Sequence, residues 1–137
     1  MAKQDVKTRK AYRQGELLFV PLSREDVAVL DPEPKNKTYP TWNKLQTNVL
    51  REGEATGHKH EVLTQTPDVA SILAPARQFI SGLANMAALG SEDRMLVAES
   101  SVSIVHPEHR PLSLPKGNYL VIVQREYDEV KARRILD

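Results

Sequence analysis

The stretch Pro115-Lys116-Gly117-Asn118-Tyr119-Leu120-Val121-Ile122-Val123 decides how the rest of the chain is read. Proline followed two positions later by glycine is a turn signal: proline presets φ at the first turn position, and glycine tolerates the backbone that follows. The run after the turn is aromatic and β-branched, too short for a core helix and bounded by polar residues, so it predicts a strand over 119–123. Continued outward, that strand would place Tyr119, Val121, Val123, Arg125 and Tyr127 on one face, with Gln124 and Glu126 on the other.

The same grammar of short apolar runs between turn residues repeats towards the N-terminus. Residues 111–114 form one piece, and 95–98 and 102–105 two more, the latter leading directly into His106. Gln14-Gly15 reads as a turn, and the run Leu17-Leu18-Phe19-Val20, closed by Pro21, predicts a buried strand within 16–22. A weaker run over 27–30 is expected to pair with it or cap it. Residues 31–43, with Pro32, Pro34 and Pro40, read as a loop, with Trp42 at its end as a lid on the core. Residues 45–51 read as a strand, 52–57 as a turn with two glycines, and 58 to about 64 as the strand that follows.

One segment breaks the pattern. Ala74-Pro75 and the helix formers after it, ending at Gly90, predict an inserted helix over about 74–90, with Phe79, Leu83 and Met86 on an apolar face. That face is expected to pack on a sheet or to join subunits of a homo-oligomer. Residues 129–136 predict a short C-terminal helix. The fold class expected is mostly β, a small barrel or sandwich with one inserted helix and a short C-terminal helix.

Composition limits the chemistry. A chain of 137 residues is one domain, large enough to bury a core without covalent staples. It has no cysteine, which removes disulfides, thiolate zinc sites and cysteine nucleophiles and suits a cytoplasmic location. No signal-peptide pattern and no run long enough to span a bilayer is seen, so no membrane partner is expected. The net charge of +1 argues against a domain-wide nucleic-acid surface. Residues 1–14 nevertheless carry Lys3, Lys7, Arg9, Lys10 and Arg13 against Asp5, and read as a basic flexible arm in front of a single domain over 15–137. The arm is a candidate contact for nucleic acid or a protein partner.

The chemical signal lies in the histidines. All four fall in two tight pairs, Gly57-His58-Lys59-His60-Glu61 and His106-Pro107-Glu108-His109. On an extended strand His58 and His60 share a face, with Lys59 and Glu61 on the other. The second pair sits at a strand-to-turn junction, where a turn brings its rings together. Neutral imidazole is the commonest metal ligand, so His58, His60, His106 and His109 are candidate ligands of a divalent transition metal, zinc or iron foremost. Glu61 and Glu108 are candidates to orient an imidazole or act as a base, and Arg110 or Arg125 to steady an anion.

A glycine-led His-x-His strand, a later histidine turn and a Leu-Pro-x-Gly-x-Tyr hairpin resemble the vocabulary of cupin-like barrels. That resemblance implies a metal inside a barrel, held in part by His58 and His60. It does not extend to His106 and His109, which precede Pro115-Lys116-Gly117 where a cupin ligand would follow the turn. From Arg13-Gln14-Gly15-Glu16 through both histidine pairs to Gln124-Arg125-Glu126-Tyr127, the chain is similar to a family of small bacterial and phage-borne proteins of uncharacterised function.

Three functions follow. The first is a small soluble β-domain with a histidine-lined metal site of unknown substrate. The second is a metal-free site in which histidines act as acid and base on a phosphate-containing substrate. The third is a non-catalytic binding or assembly module, RNA-associated or structural in a phage. The sequence leaves open whether the site is catalytic. No phosphate-binding glycine loop, dinucleotide fingerprint, nucleophile elbow or RNA-stacking aromatic pair is present.

Overall fold

A computed structural model describes residues 10–30, 42–52, 57–64, 69–75 and 92–123. The elements in chain order are β1 (Tyr12–Gln14), β2 (Leu17–Leu22), α1 (Arg24–Leu30), β3 (Trp42–Lys44), β4 (Val49–Glu52), β5 (Lys59–Leu63), β6 (Ala70–Pro75), β7 (Arg94–Ala98), β8 (Val102–His106), β9 (His109–Leu114) and β10 (Gly117–Val123). They form a six-stranded sheet in the order β1-β2-β10-β7-β6-β3 and a four-stranded sheet in the order β4-β5-β8-β9. Every pairing is antiparallel. Mostly β is therefore the fold class, built as two separate sheets and not as one closed barrel among the described residues.

One core lies between the sheets. Leu17, Phe19, Ile72, Leu96, Tyr119 and Val121 from the larger sheet pack with Leu50, Val62, Val102, Ile104 and Leu114 from the smaller one. Burying one such side chain contributes about 1.5–3 kcal/mol relative to leaving it in water. The alternate residues of β2 and β10, Leu18, Val20 and Leu120, join Trp42 and Met95 in a second cluster. Both faces of these central strands are covered, which is why they read as continuous apolar runs without the alternation of a half-exposed strand. The turn before β10 is tied down by the Tyr119 hydroxyl, which donates to the Pro115 carbonyl at 2.6 Å.

Several sequence expectations change. The run over 27–30 belongs to helix α1, whose start is a capping box. The Asp26 N–H donates to Ser23 Oγ at 3.2 Å, and the Ser23 N–H donates to Asp26 Oδ2 at 2.8 Å. Ser23-Arg24-Glu25-Asp26 carried that signature in the sequence. Trp42 packs on the core as expected, but as the first residue of β3 opposite Pro75 and not as part of the loop, and lies 7% exposed. The strand expected over 45–51 is shorter, beginning at Val49.

Ala74 and Pro75 end β6, where Pro75 sits in the ladder beside the edge strand β3. The inserted helix expected from Ala74 therefore does not begin there, and 76–90 lies outside the described residues. Tyr12–Gln14 of the supposed basic arm is strand β1, and residues 1–9 lie outside the description. The C-terminal helix and Arg125 also lie outside it.

Candidate functional site

One hairpin turn and one neighbouring strand bring the histidines together. His106 and His109 are directly opposite partners across the β8–β9 hairpin, with Pro107 and Glu108 as its two-residue turn. Directly opposed residues of an antiparallel pair project to one face, so a His-x-x-His spacing closes into a pair of rings, here with centroids 4.6 Å apart. His60 lies on the neighbouring β5, its ring centroid 4.3 Å from His106 and 6.0 Å from His109. The His58 ring is 5.8 Å from that of His106. All four imidazoles thus gather at one end of the smaller sheet.

Their surroundings differ. His60 is fully buried, whereas the His58 side chain is 35% exposed. His58 Nδ1 lies 3.0 Å from Glu108 Oε1. The backbone N–H of Glu108 donates to His106 Nδ1 at 3.1 Å, which places the proton of a neutral His106 on Nε2. Burial first, then the charge of His109, holds the His106 pKa below its ordinary value.

The environment of His60 comes from the β1–β2 hairpin, which the sequence reading treated only as a turn. Gln14, 3% exposed, reaches from the edge of the larger sheet into the smaller one. Its Nε2 donates to the carbonyls of Ile104 at 2.8 Å and Arg110 at 2.9 Å, beside the irregularity where the β8–β9 register shifts between Ile104 and His106. Its Oε1 lies 2.8 Å from His60 Nδ1. The other ring nitrogen, Nε2, is 3.0 Å from Glu16 Oε1.

Arg51 stands opposite His60 in the β4–β5 register. Its Nε is 3.4 Å from the same Glu16 oxygen, and its guanidinium donates to Glu92 at 2.8 Å. Burial pushes the Glu16 carboxyl up, but hydrogen bonding to its own backbone, the His60 contact and Arg51 together hold it below the ordinary range. Burial lowers the His60 pKa, Glu16 opposes this, and the charges of His106 and His109 add to the lowering.

The hairpin depends on Gly15, whose φ of +56° is left-handed. A Cβ added there would stand 2.6 Å from His109 Nε2. The glycine therefore serves both the turn and the close approach of His109 to the backbone beside Glu16.

Other predicted residues fall elsewhere. Glu61 is on the opposite face of β5 from His60, where Asn48 Nδ2 donates to it at 3.4 Å. The Arg110 side chain is exposed, and its carbonyl is the group that Gln14 binds. Gln14, Glu16, Arg51 and Glu92 are the site residues that the sequence reading missed. Among the described residues, no three or more His, Cys, Asp or Glu side chains already stand in an arrangement that holds a metal ion. A separate open cavity of about 500 Å³, lined by Leu63, Thr64, Val102 and serines 100, 101, 103 and 113, shares no residue with the histidine cluster.

These features define an antiparallel two-sheet β domain with a cluster of imidazoles and carboxylates at one sheet end. The chain belongs to the family described as Domain of unknown function (DUF8820), whose model matches residues 13–124, from β1 through the last residues of β10. The match takes in Gln14, Glu16 and all four histidines. No curated protein and no solved structure matches the chain. No helix among the described residues is long and apolar enough to cross a membrane.

Proposed function

We propose that this domain binds a divalent transition metal at the histidine cluster, and that zinc or ferrous iron is the ion. The observation that carries the reading is the convergence of His60, His106 and His109 from three strands with His58 from just before β5, neighbouring ring centroids lying 4.3–6.0 Å apart. Such rings offer the borderline-soft nitrogens that these metals prefer. The Gln14 amide oxygen stands 2.8 Å from His60 Nδ1, the kind of partner that orients a metal-ligating imidazole. The cupin-like His-x-His strand adds to the same reading. Metal capture calls for side-chain rotation of His109 or His58, both partly solvent-accessible, about the buried His60.

Elemental analysis after loading and desalting tests this. The wild-type protein is expected to retain about one equivalent of zinc or iron, as a single structural or catalytic site does. A His58→Ala, His109→Ala variant, which spares the buried His60, is expected to retain none while keeping its β circular dichroism. Wild-type protein that takes up no metal would refute the proposal.

A second reading rests on the His58 and Glu108 pair. A half-exposed imidazole with a carboxylate 3.0 Å from Nδ1 is oriented for general acid–base work through its other nitrogen. A phosphate-containing substrate steadied by Arg110 would suit it. That reading requires turnover by metal-free protein.

A further inference from the structure

The strands that carry the histidines at one end carry a second feature at the other. At that far end β5 finishes at Leu63, β8 begins at Val102 and β9 finishes at Leu114. The β7–β8 turn, residues 99–101, crosses there from the larger sheet to the smaller one. It is pinned by the Glu99 N–H, which donates to the Val69 carbonyl at 2.7 Å. Around this turn and the strand ends lies the open cavity of about 500 Å³, a volume ordinary for a small-molecule site.

The cavity owes its form to short side chains. Leu63 stands opposite Ser103, and Ser103 opposite Ser113, so the three make one row across the smaller sheet. Their neighbours along the strands, Val62, Val102, Ile104 and Leu114, are buried in the core, which puts the row on the outer face. Neighbouring strands lie about 4.7–4.9 Å apart, so the row is about 10 Å long. A long side chain at 103 or 113 would cover it, whereas serine leaves it open. Serine is not among the residues that strands favour, so the fold alone does not account for its repetition here.

The polar lining is hydroxyl. Ser100, Ser101, Ser103 and Ser113 contribute to it, and among the described residues none of these four hydroxyls has a hydrogen-bond partner. A serine hydroxyl can donate one bond and accept two. None of the described lining residues is charged and none is aromatic. A phosphate or carboxylate would find no cation among them, and a nucleobase no ring to stack on. Leu63, 48% exposed, adds an apolar surface at one end of the row. Closely spaced groups that both donate and accept, beside an apolar patch, match a sugar ring with its hydroxyl edge and its C–H face.

From this lining we propose that the cavity binds a neutral saccharide of one or two rings, its hydroxyls exchanging hydrogen bonds with the serines and a C–H face resting on Leu63. The site shares no residue with the histidine cluster, and the proposal stands whether or not that cluster holds a metal.

The test is titration of the isotope-labelled full chain with glucose, galactose, mannose, N-acetylglucosamine and cellobiose, followed in amide proton–nitrogen correlation spectra, with inorganic phosphate as the charged control. At least one sugar is expected to give saturable shifts at the amides of 63–64, 100–103 and 113, with those of His106 and His109 unmoved. A Ser103→Ala, Ser113→Ala variant keeps the cavity but loses two hydroxyls, and is expected to bind that sugar about tenfold more weakly, the loss of two neutral hydrogen bonds. Ser103→Tyr places a strand-favouring residue in the cavity and is expected to abolish the shifts. The alanine pair serves as the reading if the tyrosine variant does not fold. No saturable shift at these residues with any of the sugars overturns the proposal. So does a response to phosphate equal to that of the sugars, or an affinity unchanged in the variants.

Discussion

Replacing Gln14 with leucine is expected to be the most destabilising single change at the site. Leucine keeps much of the volume but removes one acceptor and two donors from a position 3% exposed. The carbonyls of Ile104 and Arg110 and the Nδ1–H of His60 would each lose a partner. Leaving a buried polar group unsatisfied costs about 1–3 kcal/mol, so the three together should remove about 3–9 kcal/mol. Against a typical total of about 5–15 kcal/mol, that is enough to leave much of the protein unfolded at 37 °C. Urea denaturation checks it: the midpoint should fall sharply with the slope unchanged. The loss should be global, because Gln14 links the edge of one sheet to three strands of the other.

Gly15→Ala is expected to cost about 2–5 kcal/mol, from two separable sources. A non-glycine residue in left-handed backbone costs about 1–2 kcal/mol, and Gly15 has φ of +56°. The added methyl would also stand 2.6 Å from His109 Nε2 and 3.0 Å from Cδ2, which forces the ring aside. Overpacking of this kind costs about 1–3 kcal/mol. Combining Gly15→Ala with His109→Ala separates the two. The double variant should recover the steric part, giving a coupling energy of about 1 kcal/mol or more between neighbouring sites, while the backbone part persists. Strict additivity would mean that the glycine serves the turn alone.

The β character of the chain was legible wherever a strand carries its own signal. The continuous apolar runs of β2 and β10 and the Pro-x-Gly turn before β10 each state their structure locally, because both faces of those strands are buried. Helix α1 was equally local in its capping box, but a short run of Val and Leu favours the strand reading unless that box is given precedence. Strand β6 was obscured because Ala74-Pro75 looks like a helix start; Pro75 is the last residue of the strand and lies past the end of the β6–β7 ladder at Leu73, so its missing N–H costs no bond to β7.

At the site, the histidines were legible because the residue type is rare in this chain and its spacing is local. A two-residue turn between His106 and His109 suffices to bring those rings together. The carboxylate and amide partners were not legible. Gln14 and Glu16 flank a glycine turn, as many surface residues do, and they reach His60 only because the first hairpin lies beside β9 at the edge of the other sheet. That juxtaposition follows from sheet order, which no local pattern encodes. Glu61, chemically plausible from its adjacency to His60, alternates to the opposite face, as its position on an extended strand requires.

The protonation of the His60 ring tests the central claim most directly. A long-range proton–nitrogen correlation spectrum at neutral pH, assigned with a His60→Gln variant, reports which nitrogen carries hydrogen before and after one equivalent of zinc. The account expects Nδ1 to be protonated in both states, with the Nε2 resonance shifting when zinc is added. A His60 that carries its only proton on Nε2, and whose nitrogens do not respond to zinc, would contradict it.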